Sequence, residues 1–164
     1  MFKKILAVVC LAGLLSACAS GKEGADLYGN TKGGWNADVD ITTLESTSLT
    51  KKFNDETTPV VYFELNSSDI DTKGKSVLAE QAEWLKENPR ALIVIEGNCD
   101  ERGTTEYNFA LGERRANAAR RYLIANGIES SRIRTISYGK EKPVATGSNE
   151  EAWAKNRNAT TIAY

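Results

Sequence analysis

The densest run of chemically capable side chains is Glu96-Gly97-Asn98-Cys99-Asp100-Glu101-Arg102-Gly103-Thr104, followed by Tyr107, Asn108, Leu111, Glu113, Arg114 and Arg115. Carboxylates and guanidinium groups at this spacing can grip a ligand that carries both charges, or share acid and base work in hydrolysis. The absence of histidine from the whole chain narrows the choice. Without imidazole there is no Ser-His or Cys-His nucleophile pair, no histidine general base and no histidine-ligated zinc. Nothing in the sequence calls for a metal or a cofactor. A pair of carboxylates from Asp100, Glu101, Glu96 and Glu113 is the remaining hydrolytic option. An aspartate beside an arginine is held ionised rather than poised to release a proton, so binding suits these residues better than cleavage. The plain alternative is that Asp100 caps or complements a helix start and that the arginines are solvated.

The elements that must position this run can be read from the flanking sequence. Val60 to Leu65 is a short apolar, β-branched and aromatic stretch that predicts a first strand after Pro59, and Ala91 to Glu96 predicts a second, apolar on both faces. Between them, Val77, Leu78, Gln81, Trp84 and Leu85 recur at helical spacing over Thr72 to Asn88, with Asn88-Pro89 as the stop. A second helix is predicted from Thr105 to Asn126, ended by Asn126-Gly127. A strand over Arg132 to Tyr138, a short helix over Asn149 to Lys155 and a last strand over Asn158 to Tyr164 complete the order β-α-β-α-β-(α)-β. That order predicts an α/β (α+β) sandwich, with a mixed sheet packed on helices, spanning 59–164. The charged run then leaves the carboxyl end of the second strand and enters a helix, where backbone donors and polar side chains converge. Arg115 lies about two turns along that helix, within reach of Asp100. Arg114 is assigned to the surface, Tyr107 and Tyr122 to the core, and Glu101, Arg102 and Glu113 to structural or exposed pairs.

The N-terminus is of a different kind. Met1-Phe2-Lys3-Lys4 followed by the apolar stretch Ile5 to Leu15 has the form of an export signal, too short for the ~20 apolar residues a membrane span needs. Leu15-Ser16-Ala17-Cys18 resembles a bacterial lipobox, which implies removal of residues 1–17 and acylation of Cys18. Several acyl chains hold a protein far better than one, at about 0.8 kcal/mol per buried methylene. Ala19 rather than aspartate after the cysteine favours the outer membrane. Cys10 departs with the signal and Cys18 is lipidated, so Cys99 is a lone thiol, packed and inert. From the lipidated cysteine to Thr58, residues 18–58 are rich in Gly, Asn, Thr, Ser and Asp and show no sustained period, which predicts a flexible linker, the alternative being that Trp35 and Phe53 pack onto the domain. Such a coil of ~40 residues has a root-mean-square span of roughly 35 Å. The formal net charge of -1, with acids and bases interspersed, argues against nucleic acid as a partner.

Val61-Tyr62-Phe63, the charged run with its helix, Ser137-Tyr138-Gly139-Lys140-Glu141-Lys142-Pro143, and Lys155-Asn156-Arg157 stand in order along the folded region. In type and spacing they resemble the OmpA-like family of peptidoglycan-binding domains. The resemblance implies a non-enzymatic protein that holds peptidoglycan through the diaminopimelate centre of its stem peptide, an ammonium and a carboxylate together. Carried onto this chain, Asp100 would accept from the ammonium, while Arg115 would clamp the carboxylate through its planar fork and neutralise Asp100. Asn108 would add a polar contact and Leu111 an apolar wall. The resemblance further implies a periplasmic domain tethered to the outer membrane, and a TolB-type β-propeller partner. A cell-wall hydrolase using that carboxylate pair is the rival reading, and a pure protein-interaction module is the third. The chain departs from the family pattern at Leu65-Asn66, where a Phe-Asp pair is common, at Asn98, where histidine is common, and at Asn158, where a second arginine is common. Asn66 loses a charge there, which removes that loop from the assigned site and leaves Asp69 a weak candidate.

Overall fold

The computed structural model describes residues 48–164. The export signal, Cys18 and the linker up to residue 47 lie outside the described residues. The elements are helix α1 (Ser48–Glu56), strand β1 (Val60–Tyr62), helix α2 (Thr72–Glu87), strand β2 (Ile93–Asn98), helix α3 (Thr105–Ala125), strand β3 (Ile133–Gly139), helix α4 (Glu150–Asn156) and strand β4 (Asn158–Ala163). A single 3-10 turn, Ser130–Arg132, precedes β3. The sheet order is β1-β4-β2-β3. β2 runs parallel to β3 and antiparallel to β4, and β1 pairs antiparallel with β4, so the sheet is mixed. The α/β class and the order of elements from β1 to β4 are those the sequence predicts.

Local signals set the helix ends. Asp71 caps α2 by accepting from the Gly74 amide at 2.6 Å, and Thr104 caps α3 by accepting from the Tyr107 amide at 3.2 Å. After α3 the chain reverses at Gly127, whose φ of 92° suits a residue without a Cβ. Ile93 and Ile95 of β2 pack with Leu78, Leu85, Ala116, Ala119 and Leu123 in the core. The periodicity of α2 and α3 therefore buries one face of each helix in the same core, α3 against β2 and β3 and α2 against α3 and β1.

One boundary differs from the sequence reading. The last stretch of the predicted linker is α1, and Phe53 is fully buried, with its ring edge-on to Trp84 at a centroid distance of 4.9 Å. The Thr50 hydroxyl donates to the Ala163 carbonyl at 2.5 Å, which ties α1 to the end of β4. The folded unit therefore includes Ser48 onward rather than opening at Pro59. A helix this short, with a single aromatic anchor, has too weak a period to be seen against a polar background. β1 also stops at Tyr62 instead of Leu65, because the chain turns through Asn66 at a φ of 55°.

The contact that sets the site is between glycines. A Cβ placed on Gly97 would stand 1.9 Å from the Gly112 carbonyl oxygen, and one on Gly112 would stand 2.4 Å from the Ser137 hydroxyl. Only glycine lets α3 lie this close to β2 and β3. The first turns of α3 are thereby pressed onto the end of β2, directly beneath the charged run.

Candidate functional site

The loop from Cys99 to Thr104 and the first turns of α3 form one side of a cleft of about 230 Å³; Leu65 and Asn66, from the loop after β1, form the other. Asp100, Asn108, Leu111 and Arg115, the residues assigned from sequence, all line it. Arg102, Tyr107, Leu65 and Asn66 line it too, and sequence reasoning had left these outside the site.

Arg115 is fully buried. Its Nε donates to the Ser67 carbonyl at 2.8 Å, Nη1 to the Asn98 carbonyl at 2.8 Å and to Cys99 Sγ at 3.5 Å, and Nη2 to the Glu64 carbonyl at 3.1 Å. All but one of the guanidinium donors are thus engaged. The guanidinium also lies 5.2 Å from the centre of the Phe63 ring. Burial pulls its pKa down, opposed by the nearby Cys99 and Asp100. The side chain works as a staple between the β2 end and the loop after β1, the two walls of the cleft.

This arrangement corrects the expected Asp100–Arg115 pair. The cations on Asp100 are Arg102, whose Nη2 lies 2.7 Å from Oδ2, and Arg157, whose Nη1 lies 3.5 Å from the same oxygen. Arg102 also donates to Oδ1 from its amide and its Nε, both at 3.1 Å. A tight turn two residues long brings Arg102 back onto Asp100 before the long arm of Arg115 is needed, and the backbone carbonyls take Arg115 instead. Burial by itself would raise the Asp100 carboxyl, but the hydrogen bonds from the Arg102 side chain and amide, with that from Arg157, prevail and hold it below its ordinary value. It is a firm carboxylate, unsuited to donating a proton.

Helix α4 supports this loop, which the sequence did not disclose. The Arg102 guanidinium stacks over Trp153 at 4.1 Å, and Trp153 Nε1 donates to Glu101 at 3.1 Å. Arg157 Nη2 reaches Glu150 at 2.6 Å, while its Nε donates to the Phe63 carbonyl at 3.0 Å. Arg157 stands in the Lys155-Asn156-Arg157 segment, but only its place in the fold links it to Asp100. Asn108 is buried, and its amide nitrogen donates to the carbonyls of Arg102 at 2.8 Å and Thr104 at 3.1 Å, so it shapes the loop. Leu111 is buried as an apolar wall. Tyr107, expected in the core, is 45% exposed, and its hydroxyl bonds Asn66 Oδ1 across the mouth of the cleft. Burial pushes the Cys99 thiol up, outweighing the pull of Arg115, so it is a packed neutral thiol. Asp69 lines a different cleft. No group of acids and cysteines among the described residues could hold a metal ion.

Comparison with known proteins agrees with this architecture. Residues 62–157 match the OmpA family. The peptidoglycan-associated lipoprotein of Mesorhizobium japonicum is 50% identical over 101 residues, 62% of this chain and 60% of the relative, so the match spans about three fifths of that protein's length. The peptidoglycan-associated lipoprotein of Pasteurella multocida is 38% identical over 165 residues, 99% of each chain. The crystal structure of the peptidoglycan-associated lipoprotein from Burkholderia pseudomallei superposes with a TM-score of 0.64 at 43% identity, covering 65% of this chain and 91% of that one. The C-terminal domain of Helicobacter pylori MotB shares the fold alone, with a TM-score of 0.60 at 21% identity over 64% of this chain and 83% of that one. With a family match over most of its described residues and a relative aligned from end to end, the chain belongs to the OmpA family, among the peptidoglycan-associated lipoproteins.

Proposed function

We propose that this protein binds peptidoglycan without cutting it and so tethers the outer membrane to the cell wall. The observation that carries the reading is the meeting of Asp100, Asn108, Leu111 and Arg115 around one cleft. Its chemistry suits a zwitterion on a short aliphatic stem, such as the diaminopimelate centre of a stem peptide. The ammonium shares the Asp100 carboxylate. Arg102, about a third exposed, turns part of its guanidinium to the ligand carboxylate, while buried Arg115 fixes the walls and adds positive charge from beneath. Leu65 and Leu111 cover the aliphatic part. Charge-assisted contacts of this kind contribute roughly 1.5–3 kcal/mol each, enough for modest single-site affinity that many wall contacts strengthen.

Acylation of Cys18 would supply the membrane end, with the segment before Ser48 bridging to the wall. In that arrangement the protein acts in a Tol-Pal envelope system with a TolB-type propeller as partner, and supports envelope integrity during division. The ionised, arginine-held Asp100 argues against a carboxylate-pair hydrolase.

Sedimentation with purified sacculi tests the reading. The protein should pellet with sacculi and release no soluble muropeptides, and Asp100→Asn should remain folded while pelleting clearly less. Wild-type pelleting by that variant would end the assignment of this cleft, and muropeptide release would favour the enzyme. Cys18→Ser should leave an unprocessed or detached protein; normal acylation and processing of that variant would refute the anchor.

A further inference from the structure

A second cleft, of about 390 Å³, lies between β1, the loop that follows it and α4. Tyr62, 50% exposed, forms one wall. Glu64, Asp69, Asp71 and Glu151 supply its acids, against Lys155 and Arg157. Both cations are already committed: Lys155 lies 2.8 Å from Glu151, and Arg157 lies 2.6 Å from Glu150. Among the described residues, no cation forms an ion pair with Glu64, Asp69 or Asp71. The cleft therefore carries surplus negative charge beside an exposed aromatic ring.

Its border is also a sheet edge. β1 pairs with β4 on one side only. The Thr161 amide donates to the Pro59 carbonyl and the Phe63 amide to the Arg157 carbonyl, each at 2.9 Å, so Pro59, Val61 and Phe63 face β4. In an antiparallel pair the intervening residues turn their backbone groups the other way. The amides and carbonyls of Val60 and Tyr62 thus point out of the sheet, with no backbone partner among the described residues. Edge groups of this kind accept an added strand, and main-chain bonds then give affinity while neighbouring side-chain sites give specificity.

We propose that this edge and cleft dock an extended, lysine- or arginine-bearing segment of a partner protein. The segment adds a strand beside β1 and sets basic side chains, which recur about every 7 Å on one face, against Glu64 and Asp69. Tyr62 then covers the aliphatic part of a basic side chain. The acids select a basic segment over an acidic one, and the unpaired edge selects an extended chain over a compact cation. This surface is separate from the wall-binding cleft, since neither the Glu64 nor the Asp69 side chain belongs to that cleft.

The test titrates the full chain with the blocked peptide acetyl-Lys-Val-Lys-Thr-Lys-Val-amide at physiological salt, against the same peptide with glutamate for lysine, and follows backbone amides by NMR. Shifts centred on Val60 and Tyr62 are expected with the lysine peptide alone. Glu64→Gln with Asp69→Asn should weaken binding by about 10-fold. Tyr62→Pro removes an outward amide without touching the β4 ladder, and should weaken binding by about 10-fold relative to Tyr62→Ala. Thermal unfolding checks that each variant is folded, and sacculus binding by Asp69→Asn alone, whose residue lies outside the wall-binding cleft, should stay at the wild-type level. The proposal is overturned if the lysine peptide fails to bind, or binds equally after both changes. Equal displacement by spermidine would reduce the surface to a small-cation site. Val60 and Tyr62 amides protected from exchange before any peptide is added would give the edge to a segment of this same chain.

Discussion

Replacing Arg115 by lysine keeps the positive charge and removes the fork, so it isolates the staple from the electrostatic field. In the folded protein the guanidinium satisfies the carbonyls of Ser67, Asn98 and Glu64, and the whole side chain is buried. A lysine ammonium at the end of its stem can re-form roughly one of those contacts. The other two carbonyls would lose their donor, and because those of Ser67 and Glu64 are only partly buried each costs towards the lower end of about 1–3 kcal/mol. The ammonium is also more strongly hydrated than the guanidinium it replaces, which makes burying it no easier. The expected loss is therefore about 2–4 kcal/mol, read as a lower urea midpoint with an unchanged slope. That is less than the total stability of an ordinary domain, about 5–15 kcal/mol, so the variant should still fold at low temperature. Sacculus binding measured there should fall, because the loops ending at Asn98 and starting at Glu64 are the walls of the cleft. A stability change below about 0.5 kcal/mol would refute the staple, and a clear stability loss with wild-type binding would show that the walls need no such fixing.

Asp100→Asn and Arg102→Gln should be coupled in a double-mutant cycle of unfolding free energies, more strongly than Asp100→Asn with Arg115→Lys, because bonds join the first pair; equal couplings would contradict the geometry. The lowered Asp100 carboxyl means that its contribution to stability is complete above the ordinary carboxylate range and is lost as the pH falls through its own lower value. Urea midpoints followed through the acid range should therefore drop less steeply for Asp100→Asn than for wild type, and parallel curves would count against an ionised, paired Asp100. Gly97→Ala drives a Cβ into the Gly112 carbonyl and should cost roughly 3 kcal/mol or more, with loss of sacculus binding; a stable, binding variant would mean that α3 need not sit so close to β2. Phe53→Ala should cost about 3–5 kcal/mol, and removal of residues 19–54 should destabilise the domain too, since both empty the site against Trp84; full stability of either would restore a domain start at Pro59.

Strong periods made most of the fold legible. Leu78, Trp84 and Leu85 mark the buried face of α2, and the run through Ile93, Val94 and Ile95 marks a strand buried on both sides. Alternation in β3 was harder to read, since only Ile133, Ser137 and Gly139 are buried and the residues between are partly covered. The cause is position: β3 is an edge strand of the sheet, with a neighbour on one side only. Helix α1 escaped for a different reason. Its one fully buried large residue, Phe53, is packed by a partner, Trp84, that is distant in sequence, and no local period announces such a contact.

For the site, residue types were legible and partnerships were not. Asp100, Asn108, Leu111 and Arg115 do meet, because strand-end loops and the helices they enter converge by construction. Which cation faces Asp100 depended on competition that spacing cannot rank. Arg102, two residues away, needs only a turn to reach the carboxylate, whereas Arg115 must choose between it and three backbone carbonyls, one buried and two partly buried. An unpaired buried carbonyl costs more than an unpaired exposed arginine, so the fully buried cation goes to the backbone and the partly exposed one to the acid. The outcome separates two tasks. The fixed charge of Arg115 holds the walls and stays dry, while the Asp100–Arg102 pair sits where a ligand can exchange with one of its members. A zwitterion brings its own carboxylate and ammonium to that exchange, so Arg102 can leave Asp100 without either being stranded. A ligand with the ammonium alone would displace Arg102 and leave it only the longer contact to Glu150 at 4.0 Å, which favours the double-ended ligand over a simple amine at this position.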